Sequence, residues 1–294
     1  MKKIIPFLII FLVACGSIHA QSYWFGGLAR IPGSNFNGSS IVTAATIGGQ
    51  SFGLNISKIT NVNSGQTYSP TDSEDTDIGF STFQIGAEIG WIKQYFELEG
   101  GVDLSLSSTE SDLHNLDDTY LGFDLKLGGV LKYDFKPSKS ITLTPFLRSG
   151  FLFEFVTNDL AIPTNTGTYY NFGGTTYMQP DYAYLEGESI ANTFFNYSIG
   201  TAFRWKKLTS SISVGKYQII GGDFDLDLPG GMEMPAPIFM QLKLGVQFER
   251  FLLSLGYRAE WYDTTQNLTY QGNPYQVDFE WDGWAFEGSI EYPF

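Results

Sequence analysis

The chain has 294 residues, of which 31 are acidic and 17 basic, giving a formal net charge of −14 at pH 7. This balance makes the chain a poor candidate for binding nucleic acid or polyanions, because phosphates are held mainly by Lys and Arg. The one cysteine, Cys15, lies in the leader, so the rest of the chain has no disulfide framework or thiol chemistry. No run of 18 apolar residues follows the leader, which excludes membrane-spanning helices. We expect no cofactor.

The leader begins with Lys2 and Lys3, continues through an apolar run at residues 4–14, and ends on small residues up to Ala20. This order is typical of a secretory signal peptide spanning residues 1–20. We expect residues 21–294 to form a single domain. A second interpretation remains open, because the residues around Cys15 also resemble a bacterial lipoprotein box, in which Cys15 is lipidated and becomes the first residue.

Alternation of apolar and polar residues with a period of two dominates the rest of the chain and predicts β-strands. The first three predicted strands cover residues 23–29, 41–47 and 52–59, with a turn at 48–50. The remaining predicted strands cover residues 80–92, 96–107, 123–135, 141–155, 194–205, 208–219, 238–248, 251–261 and 284–294. We count about twelve strands within a range of ten to fourteen, and ten if the first two segments form a plug or a loop.

The predicted strands are joined by short turns at one end and long segments at the other. The long segments, rich in Gly, Pro, Asn, Asp, Ser and Thr, cover residues 61–78, 109–118, 158–192, 221–236 and 265–276. The segment 158–192 is rich in Tyr, and two interpretations stay open for it. It either folds into the barrel lumen, narrowing a pore or forming a binding platform, or packs on its neighbours outside.

The final strand shows the alternation most clearly. Its apolar side chains Trp284, Phe286, Ile290, Tyr292 and Phe294 share one face. Before Asp282 the apolar residues lie on the opposite face, which predicts either a bulge near Gly283 or a membrane span that begins at Trp284. The ending resembles the assembly signal of bacterial outer-membrane β-barrel proteins, which commonly finish on an aromatic residue, usually Phe.

This resemblance implies an all-β fold, a closed antiparallel transmembrane β-barrel in the bacterial outer membrane with short periplasmic turns and long extracellular loops. It also implies that Tyr292 and Phe294 are recognised by the barrel-assembly machinery. Outer-membrane lipid and small solutes are the other expected partners, no nucleic acid is expected, and the oligomeric state stays open.

Alternation alone does not say which face is outside, because a soluble barrel turns its apolar face inward with the same period. Aromatic residues favour the membrane barrel, since they cluster near the short turns and the C-terminus as they do at a bilayer interface. These aromatic residues are Trp91, Tyr95, Phe96, Tyr133, Phe135, Trp205, Phe248, Phe251, Tyr292 and Phe294.

The polar face mixes both signs of charge with glycine, which suits a hydrated lumen and not a lipid contact. The predicted lumen-lining residues are Glu88, Glu97, Glu99, Asp103, Asp124, Lys126, Arg148, Glu154, Arg204, Lys243, Arg258, Glu260 and Glu287. We therefore predict a narrow porin-like channel for passive diffusion of small solutes. The alternative is a non-conducting barrel that serves as an adhesin, a structural element or an accessory subunit of a surface complex.

A catalytic role ranks third. Beyond the leader the chain has one histidine, His114, and its pairing with Asp112 weakly resembles the dyad of the omptin proteases. A solvated loop histidine explains the same residues, so we predict that the chain is not an enzyme. Asp223, Asp225 and Asp227 alternate beside two glycines and are weak calcium candidates, but they lack the spacing of an EF-hand loop, and we predict no metal site.

Overall fold

The computed structural model describes residues 30–32, 38–61, 67–68, 78–111, 116–172, 175–222, 237–270 and 273–294. The leader with Cys15, the predicted strand 23–29, His114 and the candidate metal ligands Asp223, Asp225 and Asp227 lie outside these residues. No helix within the described ranges is long and apolar enough to span a membrane.

The described residues form twelve strands. They are β1 (Gly38–Asn61), β2 (Thr67–Tyr68), β3 (Ile78–Ile92), β4 (Phe96–Ser111), β5 (Leu116–Lys132), β6 (Phe135–Ser138), β7 (Ile141–Phe172), β8 (Thr175–Trp205), β9 (Leu208–Gly222), β10 (Ile238–Gln247), β11 (Leu252–Tyr270) and β12 (Asn273–Pro293). The short strands β2 and β6 pair only with β1 and β7 respectively. The other ten form one antiparallel sheet in which β12 returns to pair with β1, so the sheet is a closed barrel.

The barrel has ten strands where the sequence predicts about twelve. The predicted turn at residues 48–50 is wrong, because β1 runs straight through it. Gly48 pairs with Thr82 on β3 and with Ala285 on β12, so a turn there would break hydrogen-bond ladders on both sides. The two predicted strands 41–47 and 52–59 are therefore one strand.

Apolar side chains face outward and polar side chains face inward. On β10 the exposed residues are Ile238, Met240, Leu242, Leu244 and Val246, whereas the alternate residues are buried and include Gln241, Lys243 and Gln247. The same sorting holds along β4, where Leu98, Val102, Leu104 and Leu106 are exposed while Glu97, Asp103, Ser105 and Ser107 are buried. A soluble barrel has the opposite arrangement, so the exterior is suited to lipid.

Short turns and aromatic side chains mark one end of the barrel, which we call the short-turn end. A Lys93 N to Phe96 O hydrogen bond of 2.9 Å closes the β3–β4 turn, and a Phe248 N to Phe251 O bond of 2.8 Å closes the β10–β11 turn. Between the predicted strands 123–135 and 141–155, where the composition of residues 136–139 predicts a turn, β6 occupies residues up to Ser138 and the chain turns after it. Every predicted aromatic residue of this end is exposed except Phe251, which is partly exposed.

The opposite end, which we call the far end, consists of extended hairpins where the structure describes it. The prediction of a loop at 158–192 is wrong, because β7 continues to Phe172 and β8 begins at Thr175. Pairing of β7 with β5 stops at Thr157, and pairing of β8 with β9 stops at Asn192. Beyond these positions β7 and β8 pair with each other, and the hairpin continues past the barrel wall.

The closing strand β12 pairs without interruption through Asp282 and Gly283, on β11 and on β1. The predicted bulge there is wrong, and the alternative of an outward apolar face that begins at Trp284 agrees with the exposure of Trp284, Phe286 and Tyr292. The β12–β1 pairing, which we call the seam, extends to Phe294, whose backbone N donates to Ser39 O at 2.9 Å. The strand predicted to close the barrel does close it.

If the exterior contacts lipid, the effect of a charge on it depends on depth. We expect Leu104→Arg, in the middle of β4, to lower the free energy of unfolding in phospholipid vesicles by about 2–4 kcal/mol, whereas Phe96→Arg on the same face near the short turns lowers it by about 0–1 kcal/mol. Urea titration followed by tryptophan fluorescence measures both. Equal effects at the two depths contradict a lipid contact.

Candidate functional site: the barrel lumen

The structure places the thirteen predicted lumen-lining residues on the inward face. All are buried except Glu99 and Arg204, which are partly exposed. The alternation of each strand delivers them there, because successive side chains point to opposite faces of a sheet. Several of them form ion pairs with one another, most of these between different strands.

The charged side chains of the lumen are neutralised by partners close by. Lys126 on β5 pairs with Asp103 on β4, and Lys243 Nζ lies 2.8 Å from Glu287 Oε1 on β12. Arg148 Nη2 on β7 lies 3.0 Å from Glu99 Oε1. Each pair satisfies charges that would otherwise be enclosed without a partner, which is the main electrostatic requirement of a narrow lumen.

Aromatic residues form a second part of the lumen that the sequence analysis missed. Tyr217 on β9 stacks on Phe239 on β10, with ring centroids 6.1 Å apart, and the guanidinium carbon of Arg258 lies 4.1 Å from the centroid of Phe239. The Tyr217 hydroxyl donates to Glu260, whose other carboxylate oxygen lies 2.7 Å from Arg258 Nε. The signal was a break in alternation, since Phe239 occupies a polar-face position between Ile238 and Met240.

A segment from before β1, residues 30–32, lies inside the lumen at the short-turn end, and we call it the plug. The Arg30 guanidinium pairs with Glu97 on β4, and its Nε lies 3.0 Å from Glu291 Oε1 on β12. Arg148 Nη2 donates to the Arg30 carbonyl oxygen at 2.9 Å. The Arg30 side chain is fully buried. Contacts from opposite walls therefore hold this residue in the middle of the barrel.

Ile31, the next residue of the plug, fills the lumen at the same depth with apolar contacts. Ile31 is 1% exposed and packs in an inward apolar cluster. The other members of the cluster are Ile92, Val130, Phe146, Ala202 and Leu252. They come from five strands, so the cluster surrounds the plug.

Two inward glycines give the plug its space. A Cβ on Gly90 would lie 2.9 Å from Arg30 Nη1, and a Cβ on Gly245 would lie 3.2 Å from Ile31 Cδ1. Both distances are shorter than ordinary van der Waals contact. The barrel wall is therefore shaped to the plug at both of its side chains.

The closed ladder, the apolar exterior and the charged interior together decide the class of this protein. The chain is a β-barrel of the outer-membrane type. The sequence prediction of this class is confirmed.

No protein-family model and no curated protein matches the chain. Among solved structures, the transport unit of the autotransporter AIDA-I from Escherichia coli has 12% identity and a TM-score of 0.46. The match covers 96% of this chain and 97% of that one. The outer membrane protease OmpT from Escherichia coli has 7% identity and a TM-score of 0.39, covering 89% and 98%. A Pseudomonas aeruginosa FadL homologue has 10% identity and a TM-score of 0.34, covering 88% and 91%. Similarities this distant carry no argument about function.

Within the described ranges no three His, Cys, Asp or Glu side chains are grouped to hold a metal ion. The dyad candidate His114 and the calcium candidates Asp223, Asp225 and Asp227 lie outside those ranges, so both hypotheses stay untested.

The plug predicts a large stability effect from one substitution. Arg30→Met leaves Glu97 and Glu291 in the lumen without their shared cation, and we expect it to lower the free energy of unfolding in vesicles by about 3 kcal/mol. Adding Glu291→Gln recovers part of that loss, because one uncompensated charge is removed. Gln94→Ala, in an exposed turn, is the control and changes stability by about 0.5 kcal/mol or less. An equally small effect of Arg30→Met contradicts a buried plug.

Proposed function

We propose that this protein is an outer-membrane channel whose narrow lumen is closed at the short-turn end by its own plug, and which passes small solutes only when the plug leaves. The observation that carries the proposal is the fully buried Arg30 side chain, held by Glu97 and Glu291 on different strands. These contacts and the apolar cluster around Ile31 occupy the lumen at the short-turn end, which supports closure at that level.

The size of the barrel supports a narrow path. Side chains just fill a barrel of about eight strands, whereas about 16 to 18 strands leave a wide aqueous channel. This barrel has ten strands. Its lumen charges favour a polar interior, since the Lys126–Asp103 and Lys243–Glu287 pairs lie on the inward face, farther along their strands from the short turns than the contacts of the plug.

The same ion pairs favour a second candidate, a permanently non-conducting barrel that acts as an adhesin, a structural element or an accessory subunit. Paired side chains occupy the lumen from several strands and leave their charges neutralised. In this candidate the plug only adds stability, and the functional surface is the set of extended hairpins at the far end.

Orientation and assembly follow from the proposed location. We place the short-turn end in the periplasm and the far end outside the cell, which is the usual arrangement of bacterial barrels. Recognition by the assembly machinery is assigned to Tyr292 and Phe294, which are both exposed at the seam. Small solutes and outer-membrane lipid remain the proposed ligands.

Planar-bilayer conductance distinguishes the candidates. We expect the wild-type barrel to carry no current. The double variant Arg30→Ser with Ile31→Ser loses the ion pairs of Arg30 and the apolar packing of Ile31 without adding bulk, and we expect it to show stepwise unitary currents. The matched control replaces Lys93 and Gln94, in an exposed turn, with Ser and stays silent. Silence of the refolded double variant supports the non-conducting barrel, and steady wild-type currents contradict closure by the plug.

We propose no catalytic role, and His114 provides the test. If a screen of the refolded protein finds protease or lipase activity, we expect His114→Ala to leave it unchanged, because a solvated loop histidine takes no part in chemistry. Loss of that activity in a variant that still folds, as shown by circular dichroism, contradicts this proposal and restores the omptin-like hypothesis.

A further inference from the structure

The exposed cations of this acidic protein are concentrated at one end. Every exposed Lys or Arg whose side chain the structure describes lies in or beside a short turn. These six residues, which we call the basic ring, are Lys93, Lys136, Lys139, Lys206, Lys207 and Arg250. The exposed acids described at the same end are limited to Glu249. The local charge is therefore opposite to the formal charge of −14 of the whole chain.

The ring extends around the barrel. Its residues come from the β3–β4, β8–β9 and β10–β11 connections and from the stretch between β5 and β7 that contains β6. Strand order distributes these four places around the circumference, because each joins a different pair of neighbours in the closed sheet. The other cations with described side chains are buried or partly exposed, and those within the lumen hold the plug or the ion pairs.

Two members of the ring are held against the aromatic residues of the short-turn end. Lys93 Nζ lies 4.9 Å from the ring centroid of Trp91, and Lys206 Nζ lies 5.2 Å from the ring centroid of Trp205. Exposed Trp side chains lie at the headgroup level of a bilayer, and lysine extends its ammonium toward the polar side of that level. The cations are therefore located where lipid phosphates lie.

The β8–β9 turn shows that the charge is not explained by turn geometry. Lys206 has φ 54°, the one positive φ of a non-glycine residue in the described ranges. Two-residue hairpin turns favour Asn-Gly or Asp-Gly, since these residues tolerate a positive φ. Lys206 and Lys207 occupy such a turn, so the sequence keeps a cation at Lys206 where Asn or Gly would give the backbone less strain.

We propose that the basic ring binds the anionic headgroups of phospholipids in the bilayer leaflet around the short turns. A cationic ring at headgroup level attracts negatively charged lipids, and the attraction decays within a Debye length. The partner is a phospholipid of net negative charge, such as phosphatidylglycerol, in preference to zwitterionic phosphatidylcholine. This inference does not depend on whether the lumen conducts.

Lipid selectivity tests the proposal directly. The refolded barrel, with every tryptophan except Trp91 and Trp205 replaced by Phe, is placed in vesicles that contain brominated phosphatidylglycerol or brominated phosphatidylcholine, and quenching gives the relative binding constant. At low salt we expect a preference of about fivefold for phosphatidylglycerol, which corresponds to ~1 kcal/mol. The preference falls to about one in 1 M salt and in a variant with all six ring residues replaced by Gln.

The matched control keeps the charge of the ring, because each ring lysine is replaced by Arg and Arg250 is replaced by Lys. We expect it to keep the preference for phosphatidylglycerol. A second variant, Lys206→Asn, separates lipid binding from turn strain. We expect it to resist a higher urea concentration in phosphatidylcholine vesicles while its preference for phosphatidylglycerol falls. A wild-type preference of one, or a preference unchanged by the six Gln substitutions, overturns the proposal.

Discussion

Closure of the sheet is the constraint on which the rest of the structure depends. Because β12 pairs with β1 along most of its length, each of the ten described strands of the barrel wall has a hydrogen-bonded neighbour on both sides. The wall can then lie in a medium that offers no hydrogen bonds. Closure also divides the side chains into two sets that never exchange, an apolar set outside and a polar set inside, and each set must meet the demands of its own environment.

Inside, those demands are severe because ten strands enclose little space. A charge in the lumen needs a partner nearby, and Asp103, Glu99 and Glu287 each have a cation from another strand. The plug extends this logic to a residue from outside the wall. Arg30 pairs with two acids, Glu97 on β4 and Glu291 on β12, and Ile31 packs among inward apolar residues. Inward glycines leave the necessary room.

The sequence predicts the outward face well, because lipid is a uniform environment and selects one residue class at every second position. It predicts the number of strands less well. Two glycines at 48 and 49 are a local turn signal, and ladders to β3 and β12, formed with distant parts of the chain, override it. The plug gives no local signal either, since Arg30 is recognised only through Glu97 and Glu291. The aromatic Phe239 was visible as a break in alternation, but its role depends on Tyr217 and Arg258.

The bridge from Arg30 to Glu291 joins the first described residue of the chain to the last strand. Glu291 reaches its place only when β12 has paired with β1, and Arg30 lies in the lumen that this pairing encloses. The plug therefore has to be inside before the seam closes, or it must thread a finished barrel through an end. Completing the wall and seating the plug are thus coupled steps of assembly, and the Arg30–Glu291 ion pair forms only in a barrel that has finished both.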